Sequence, residues 1–345
     1  MRALVVTGPR RAEIDDVPSP IPDPGQLLVE VERAGICGTD VELYTGEMAY
    51  FDQGVSHVPL RIGHEWTGRV VDVGSAHDSA WLGKRVTGDT MIGCGHCEFC
   101  RAGHHHVCPT RFEIGIRDGW PGALAERVLV PTRFAYEIPD SVTVTAAALV
   151  EPGGNSLRAV RAAGLESGSS VLVLGSGTIG LLAAQFARAA GLNVHLGGVR
   201  ESSLELARRL GITNTRPLAE LHESPDSRFD AVIDATNAAY SPALAVRLAK
   251  PAGRVVFIGL SSVPSTIDSR DIALKDITAV GILSASPGLA GAISAFASGA
   301  VVPDEIVAEV IRLEDVPSRL EGVRGVSAGP GPKVHVDPRP IEARP

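Results

Sequence analysis

The chain has 345 residues, of which 44% are hydrophobic and 21% charged, and its 40 acidic and 32 basic residues give a formal net charge of −8. This composition is that of an ordinary globular protein with about two domains of ~150 residues. The acidic balance argues against nucleic acid or an anionic membrane as a partner, and no apolar run approaches the ~20 residues of a membrane span. The N-terminus lacks the apolar length of a signal peptide, so we expect a cytoplasmic protein.

The first third of the chain has the pattern of a β-rich domain. Residues 26–34 (QLLVEVERA) and 66–73 (WTGRVVDV) alternate apolar and polar side chains between Pro and Gly residues. From Ser170 the pattern changes to alternating strands and helices, which predicts a parallel sheet built from βαβ units. The strands of this sheet are expected at 171–174, 193–197, 229–234, 254–258 and 277–283, with helices at 179–190 and 202–210.

The alternation of strands and helices ends near Ala290, and residues 333–336 (KVHV) predict a last β segment. We therefore expect one domain in two pieces, residues 1–150 and 290–345, with the parallel-sheet domain, residues 151–289, inserted between them. The Pro- and Gly-rich end of the chain, from Gly329 to Pro345, is expected to be a loose tail.

A glycine-rich loop follows the first strand of the predicted parallel sheet. The run Gly175-Ser176-Gly177-Thr178-Ile179-Gly180 has the pattern G-x-G-x-x-G between a strand and a helix. The first glycine permits a tight turn, the second lets a pyrophosphate approach the backbone, and the third lets the helix pack closely on the strand. In this context we expect a Rossmann dinucleotide site formed by Gly175, Gly177, Thr178, Ile179 and Gly180.

The end of the next strand bears on which dinucleotide is bound. NAD sites usually carry an acidic residue ~20 residues after the loop, where it holds the ribose 2′-hydroxyl. Here that position is Gly198, and Arg200 lies two residues further on. Because a missing carboxylate leaves room for the 2′-phosphate and an arginine pairs with it, we expect NADP. In the alternative, which is NAD, Arg200 is a solvated surface residue and Glu201 serves the ribose.

Four of the five cysteines are crowded into one short segment: Cys94, Cys97, Cys100 and Cys108. In a chain without a secretion signal, this spacing fits metal ligation better than disulfides. Four thiolates close a tetrahedral site with no open position, so we expect a structural zinc. A nucleic-acid zinc module is the competing interpretation, but it would bring an enrichment of Lys and Arg. The neighbouring histidines at 96 and 104–106 are expected at the surface.

Cys37, His64 and Glu65 form a second set of candidate ligands, to which Glu151 can be added. Catalytic zinc sites have about three protein ligands and one open position for water or substrate. Zinc lowers the pKa of a bound water from ~15.7 to ~7 and acidifies a bound alcohol in the same way. Taken singly, Cys37 is explained as a small buried residue and His64 as a core histidine. Together with the cysteine cluster and the glycine loop, they indicate a catalytic zinc.

These motifs together resemble the zinc-containing medium-chain alcohol dehydrogenase family along nearly the whole chain. Residues 35–40 (GICGTD) are similar to the family segment with the catalytic-zinc cysteine, residues 63–65 (GHE) to its G-H-E segment, and Glu151-Pro152 to its E-P segment. The resemblance implies an α/β protein with a β-rich, GroES-like catalytic domain and a doubly wound Rossmann domain. It also implies that Cys37 and His64 ligate the catalytic zinc, with Glu65 or Glu151 in the remaining position.

The resemblance further implies roles around the zinc ligands. Thr39 would take the proton of the alcohol and pass it on through the cofactor ribose, and Asp40 would orient His64. The reaction implied is a reversible hydride transfer between a secondary alcohol and C4 of NADP. Two rival classes are a zinc-free quinone or enoyl reductase and a non-catalytic, NADPH-binding structural protein. The presence of Cys37, His64 and Glu65 argues against both.

Within the family, the sequence Cys-Gly-Thr-Asp is typical of the polyol, sugar and threonine dehydrogenase branch. Glu42 stands where many relatives have histidine, and residues 113–119 (EIGIRDG) resemble a segment of archaeal-type glucose dehydrogenases whose glutamate contacts sugar hydroxyls. Glu42 is therefore a candidate catalytic residue, and Glu113 and Thr90 are candidate substrate ligands. Thr90 replaces an asparagine of those enzymes, and residues 153–155 (GGN) replace larger residues. We expect a sugar, polyol or cyclitol, with threonine or a simple secondary alcohol as the alternative.

Besides the cofactor and a small alcohol or carbonyl substrate, the expected partners are further copies of the chain. The late strand at residues 277–283 can pair across subunits as in relatives. A homodimer or homotetramer is therefore expected.

Overall fold

The computed structural model describes residues 1–323, 325 and 328–340. The chain forms two compact units. The first unit comprises Met1–Glu151 with the segments that begin at Val307 and Lys333, and the second comprises Pro152–Ile306 with Pro330–Pro332. Within the described ranges, no helix combines the length and the apolar character needed to cross a membrane.

The strands and helices follow one another in a mixed order along the chain. The strands are β1 (Arg2–Gly8), β2 (Arg11–Asp16), β3 (Gln26–Ile36), β4 (Leu60–Arg61), β5 (Glu65–Val73), β6 (Arg85–Gly88), β7 (Met91–Ile92), β8 (Phe112–Glu113), β9 (Arg127–Pro131), β10 (Ala135–Glu137), β11 (Ser170–Leu174), β12 (Asn193–Gly198), β13 (Asn214–Pro217), β14 (Phe229–Asp234), β15 (Ala249–Phe257), β16 (Thr278–Gly281), β17 (Val307–Arg312) and β18 (Lys333–Asp337). The helices are α1 (Gly38–Thr45), α2 (Ala49–Asp52), α3 (Glu98–Arg101), α4 (Val144–Ala148), α5 (Val150–Ala162), α6 (Thr178–Ala189), α7 (Glu201–Arg209), α8 (Leu218–His222), α9 (Ser241–Leu248), α10 (Ser269–Leu274), α11 (Leu289–Ala297) and α12 (Val316–Leu320).

The first unit is built on a mainly antiparallel sheet with the strand order β10-β6-β5-β3-β18-β17, and β9 also pairs with β3. Leu27, Val29 and Val31 alternate along β3 and are completely buried, in the same core as Trp66 of β5. Because successive side chains of a strand point to opposite faces, this alternation places one face of β3 in the core. The β-rich domain predicted from that pattern is confirmed.

The end of the chain departs from the prediction. Residues 333–337 form β18, which lies between β17 and β3, and Val336 is completely buried. The backbone carbonyls of Pro338 and Arg339 accept hydrogen bonds from Arg2 and Arg312. The prediction of a loose tail is therefore wrong for residues 333–339, because the apolar alternation of KVHV prevails over the surrounding Pro and Gly. Residues 341–345 lie outside the described part of the chain.

The second unit contains a six-stranded parallel sheet with the order β13-β12-β11-β14-β15-β16. This order corresponds to 3-2-1-4-5-6, which defines the doubly wound dinucleotide-binding fold. The order reverses beside β11, and ligands of such sheets bind outside the carboxyl ends of the strands at this point. The predicted glycine loop follows the carboxyl end of β11, so the Rossmann prediction is confirmed.

The second unit extends to Ile306, beyond the predicted limit at residue 289. The alternation of strands and helices ends near residue 289 because the helix that follows, α11, belongs to the same unit but is not followed by another strand of the parallel sheet. Phe296 of α11 stacks on Phe186 of α6, with ring centroids 6.1 Å apart, and Leu289 is completely buried. The first boundary, between Glu151 and Pro152, lies one residue from the predicted position.

Candidate active site

The carboxylate of Asp40 forms hydrogen bonds with both segments that carry the predicted ligands of the catalytic zinc. Cys37 stands in extended conformation between the end of β3 and the start of α1. Asp40, in the first turn of α1, is fully buried, and its Oδ2 accepts the backbone N–H of Cys37 at 2.8 Å. Its Oδ1 accepts the backbone N–H of Gly63 at 3.1 Å. The Cys37 turn and the segment that leads into β5 are therefore held at one carboxylate.

Asp40 also faces His64: its Oδ1 lies 3.5 Å from His64 Nδ1, a buried nitrogen that forms no hydrogen bond with the described residues. Burial lowers the pKa of His64, but the negative charges of Asp40 and Cys37 outweigh it and hold this pKa well above its usual value. A carboxylate beside one ring nitrogen is the arrangement that fixes the tautomer and direction of a metal-ligating histidine. We therefore propose that Nε2 of His64 is the atom that would bind the metal.

The three predicted ligands come together. The sulfur of Cys37, an imidazole nitrogen of His64 and a carboxylate oxygen of Glu65 all lie within 4.8 Å of one another. Two glycines make the space: a Cβ on Gly35 would lie 2.2 Å from Glu65 Oε2, and a Cβ on Gly63 would lie 2.6 Å from the backbone nitrogen of Leu124. One sulfur, one nitrogen and one oxygen suit a zinc ion that keeps an open position. The residues present therefore fit the metal.

Lys333 is one of the site residues that the sequence analysis did not predict. Its Nζ donates to both carboxylate oxygens of Glu65, at 2.8 and 2.7 Å, and to the carbonyl of Ile36 at 2.9 Å. The side chains of Lys333 and Glu65 are 3% and 1% exposed. Burial lowers the pKa of Lys333, but the charge of Glu65, followed by that of Cys37, outweighs it and raises this pKa above its usual value. A lysine at the head of the apolar segment KVHV was the available signal, because a fully buried lysine requires a partner.

Glu151 stands apart from this group. It is buried in the first turn of α5, but the three ligand atoms that converge are those of Cys37, His64 and Glu65. The carboxylate that the structure brings to Cys37 and His64 is therefore that of Glu65, which it shares with Lys333. The participation of Glu151 stays a prediction.

Thr39 and Glu42 are three residues apart on α1, so they share one face of that helix. The side chain of Glu42 is half-buried, and burial, followed by the charge of Glu47, raises its pKa. Within the described ranges, its carboxylate has neither a hydrogen bond nor an ion pair. An unpartnered carboxylate beside Thr39 is suited to accept a proton or a hydrogen bond.

Of the two predicted substrate residues, Thr90 contacts the backbone of His64, and Glu113 lies on the strand that pairs with β7. The buried Thr90 donates from its hydroxyl to the carbonyl of His64 at 3.3 Å. The carbonyl of Thr90 accepts the backbone N–H of Ile114 at 3.0 Å, and Glu113 is the residue before it. The short ladder of β7 and β8 thus pairs Glu113 with Met91, the residue that follows Thr90.

Glu113 is 2% exposed, and one of its two carboxylate oxygens has hydrogen-bond partners. Its Oε1 accepts hydrogen bonds from Arg111 Nε at 2.8 Å and from the hydroxyl of Tyr50 at 3.2 Å. No hydrogen bond from the described residues reaches Oε2 of Glu113. One oxygen of a charge-compensated carboxylate is therefore left to accept a hydrogen bond from a ligand. Arg111 and Tyr50 were not anticipated from the sequence.

The four cysteines of the predicted structural site also converge. The sulfur atoms of Cys94, Cys97, Cys100 and Cys108 all lie within 4.8 Å of one another. Burial raises the pKa of Cys108, but the backbone N–H of Cys94 and the hydroxyl of Thr110 outweigh it and lower this pKa to about 6. Burial raises the pKa of the neighbouring Cys100 thiol to about 12, so the case for a metal rests on the four converging sulfurs and not on thiol pKa values. The all-sulfur donor set fits a closed structural zinc site.

The histidines of this lobe are only partly at the surface. His105 Nε2 lies 2.7 Å from Oδ2 of the fully buried Asp89, and His106 is buried. The expectation of surface histidines is therefore wrong for His106. Its apolar neighbour Val107 is exposed instead, so burial in this tight turn does not follow hydrophobicity.

The glycine loop between β11 and α6 has the geometry of a phosphate site. Gly175 has a φ of +105° and donates its N–H to the carbonyl of Gly197 at 2.8 Å. A Cβ on Gly180 would lie 1.8 Å from the carbonyl oxygen of Gly175, whereas a Cβ on Gly177 would meet open space. Thr178 and Ile179 form the first turn of α6, whose N-terminus offers unpaired N–H groups to an anion. The loop therefore fits the pyrophosphate of a dinucleotide.

At the end of β12, the two candidates for recognition of the cofactor ribose, Arg200 and Glu201, differ in their contacts. Gly198 has no room for a side chain, since a Cβ would lie 2.5 Å from Ser176 Oγ. Glu201 is held by Arg208 at 2.8 Å. Arg200 is exposed, and its guanidinium has no hydrogen bond or ion pair among the described residues. A cation without a partner and an acid already paired favour a ligand with a phosphate over a free hydroxyl at this place.

Comparison with known proteins agrees with this site. Residues 23–140 match the alcohol dehydrogenase GroES-like domain, and residues 178–298 match the zinc-binding dehydrogenase family. L-threonine 3-dehydrogenase from Coxiella burnetii is 32% identical over 273 residues, 77% of this chain and 78% of that protein. A zinc-binding dehydrogenase structure from Sinorhizobium meliloti 1021, bound to NADP, is 32% identical with a TM-score of 0.89 over 98% of this chain and 99% of that one. An alcohol dehydrogenase from E. coli CFT073 complexed with NADH is 27% identical, with a TM-score of 0.87 and the same coverage.

The fold and the site define a zinc-dependent oxidoreductase with a nicotinamide cofactor. The chain belongs to the zinc-containing medium-chain alcohol dehydrogenase family, as the resemblance predicted. The curated relatives include L-threonine 3-dehydrogenases from Coxiella burnetii and Escherichia coli. A zinc-free or non-catalytic relative would not need the converging Cys37, His64 and Glu65.

Proposed function

We propose that this protein is an NADP-preferring, zinc-dependent dehydrogenase of small polar secondary alcohols. The first candidate substrate is a β-hydroxy amino acid such as L-threonine, and the second is a sugar, polyol or cyclitol. The observation that carries the proposal is the convergence of Cys37, His64 and Glu65, whose ligand atoms lie within 4.8 Å of one another. The test is the reduction of NADP by a panel of amino alcohols, polyols and simple alcohols, before and after removal of zinc with a chelator.

Cys37 and His64, with Glu65 or Glu151, would hold the catalytic zinc. When bound, zinc supplies Lewis acidity that makes the substrate hydroxyl more acidic. Asp40 keeps His64 in the ligating tautomer. The Thr39 hydroxyl would take up the proton that the alcohol loses and pass on its own proton, with Glu42 on the same helix face as an acceptor. A nicotinamide cofactor, when bound at the glycine loop, would supply the hydride acceptor that turns the alcohol into a carbonyl compound.

The unpartnered oxygens near the site support a substrate with hydrogen-bond donors beside its carbinol carbon. The carboxylates of Glu42 and Glu113 accept hydrogen bonds and cannot donate them when ionised. An ammonium group and a hydroxyl group both satisfy them, and an ammonium also offsets their charge. The names of the relatives agree with the ammonium, and the resemblance of residues 113–119 to sugar-binding enzymes agrees with the hydroxyl. A site with such acceptors rejects analogues that lack the donor.

Further copies of this chain are the proposed protein partners. The strand β16 is the free edge of the parallel sheet, and its residues Thr278, Ala279 and Gly281 are exposed. Leu274 and Leu283, on either side of it, are 85% and 40% exposed. An exposed edge flanked by apolar side chains favours pairing with a second sheet. We propose a homodimer or homotetramer located in the cytoplasm.

Arg200→Ala should lower kcat/KM for NADP by roughly 10- to 100-fold, because a charge-assisted contact to a phosphate is lost. The value for NAD should stay nearly unchanged, since NAD has no 2′-phosphate for Arg200 to bind. Steady-state kinetics with both cofactors measures the ratio. Arg209→Ala is the matched control, because Arg209 is an exposed arginine of the helix that follows Arg200 and pairs with Glu305 instead. A wild-type preference for NAD, or an equal loss with both cofactors, would contradict the assignment.

Glu113→Gln should raise KM for the best polar substrate by about 10- to 100-fold, because a hydrogen bond to a charged acceptor is weakened. Oxidation of butan-2-ol should change little, since this alcohol has no second polar group. Glutamine keeps the size of the side chain, so the change tests charge and acceptor strength. Similar small effects on both alcohols would remove Glu113 from substrate binding and leave the dehydrogenase assignment standing.

A further inference from the structure

We propose that Arg111 is a positioning residue for substrate selection: it fixes the carboxylate of Glu113 and connects it to the lobe that holds the four cysteines. The inference rests on the proposed function, in which the free oxygen of Glu113 receives a donor group of the substrate. It gives the cysteine lobe a part in specificity as well as in stability.

Every nitrogen of the Arg111 guanidinium already has an acceptor. Nε donates to Glu113 Oε1 at 2.8 Å, and one terminal nitrogen lies 2.8 Å from the same oxygen and 3.3 Å from the hydroxyl of Tyr50. The other terminal nitrogen donates to the carbonyl of Cys108 at 3.2 Å. Since the planar guanidinium offers its donors in a fixed fork, these contacts fix its orientation. Arg111 therefore has little capacity left for a ligand and acts through Glu113.

The Arg111–Glu113 pair is nearly closed to solvent, with side chains 11% and 3% exposed. A buried carboxylate that loses its cation is costly and changes its position or takes up a proton. Tyr50 alone would then hold Oε1 of Glu113, through a single hydrogen bond of 3.2 Å. Without Arg111, Glu113 would no longer present a fixed, ionised oxygen to the substrate.

The contact with Cys108 joins this pair to the zinc lobe. Cys108 is completely buried, its sulfur belongs to the four-cysteine group, and its carbonyl receives Arg111. The backbone of Glu113, in β8, pairs with that of Met91, in β7. The carboxylate of Glu113 is thus held between the last cysteine of the lobe and the strand that follows Thr90.

A purely structural role for Arg111 predicts a different result from a positioning role. Loss of a structural contact lowers the activity of the enzyme on all alcohols together, or lowers the amount of folded protein. Loss of Glu113 positioning raises KM for substrates that use Glu113 and spares those that do not. The comparison of a polar alcohol with butan-2-ol separates the two, because both alcohols share the zinc site and the cofactor.

The experiment compares Arg111→Met, Arg111→Lys and the control Arg117→Met in zinc-loaded full-length protein. Arg117 lies on the same hairpin and stacks over the Tyr50 ring at 5.9 Å, but it pairs with Asp118 at 3.0 Å instead of Glu113. We expect Arg111→Met to raise KM for the best polar substrate by about 10- to 100-fold, with kcat and the kinetics of butan-2-ol within about twofold of wild type. The KM of Arg111→Lys should lie between those of wild type and Arg111→Met, because lysine keeps the positive charge but not the planar set of donors. The KM of Arg117→Met should match that of wild type.

Zinc content and thermal melting are measured for each variant. If Arg111→Met does not fold, Arg111→Lys decides: a KM increase confined to the polar substrate supports the proposal. Equal losses on both alcohols, or no change on either, overturn it. The wild-type panel tests the proposed function separately. If the wild-type enzyme prefers butan-2-ol, the proposed substrate class is wrong and this inference falls with it, whereas a polar preference that survives Arg111→Met overturns the inference alone.

Discussion

Cys37→Ser should abolish NADP reduction and remove one of two zinc ions per chain while the protein stays folded. Cys37 supplies the only sulfur among the converging Cys37, His64 and Glu65, and a serine hydroxyl is a far weaker ligand than a thiolate at neutral pH. The backbone N–H at position 37 still donates to Asp40 in the variant, so the local turn is preserved. Metal analysis by mass spectrometry, circular dichroism and the NADPH absorbance assay measure the three properties.

Cys97→Ser is the matched comparison, because it makes the same chemical change at the other zinc site. The four sulfurs close a site whose metal contributes to folding. This variant should therefore melt at a lower temperature and lose solubility, while the protein that remains folded keeps its catalytic zinc. A single zinc per chain in fully active wild-type protein would contradict the two-site assignment. So would a Cys37→Ser variant that keeps both zinc ions.

Most of the features that were predicted correctly follow from local sequence patterns. The alternation in β3 and β5, the glycine loop after β11 and the spacing from Cys94 to Cys108 each lie within a short stretch, where side-chain periodicity or ligand spacing determines the local geometry. The structure brings Cys37, His64 and Glu65 together as predicted. It leaves Glu151 outside that group, since an E-P motif gives a helix start but not the direction of its carboxylate.

The contacts that were missed join residues far apart in the sequence. Lys333 and Glu65 are separated by 268 residues, and Tyr50 and Glu113 by 63. No local periodicity reports such pairs, because they depend on how β18 enters the sheet beside β3 and on how the segment around α2 packs on β8. The late unit boundary at Ile306 has a similar cause. Whether α11 belongs to one unit or the other is determined by the packing of Phe296 on Phe186, which a single helix pattern does not encode.

Lys333→Met should lower the free energy of unfolding by about 3–5 kcal/mol, because removal of one partner leaves the other as an uncompensated buried charge. The remaining charge is that of Glu65, whose two oxygens both accept from Lys333 at 2.8 and 2.7 Å. Methionine keeps most of the length and the apolar stem of lysine, so the loss reports the charge and its hydrogen bonds. Urea unfolding, followed by circular dichroism, measures the change after the zinc of the Cys37 site has been removed with a chelator, because a bound zinc would itself compensate the charge of Glu65.

The double variant Glu65→Gln/Lys333→Met should recover much of that loss, because the neutral glutamine no longer needs a cation. The difference between the double variant and the sum of the single variants gives the coupling energy of the pair. Lys250→Met is the matched control: Lys250 pairs with Asp230 at 2.8 Å, but its side chain is 42% exposed, and exposed pairs contribute about 0–1 kcal/mol. If Lys333→Met costs no more than Lys250→Met, the Lys333–Glu65 pair does not stabilise the fold, and Glu65 is held in place by its metal alone.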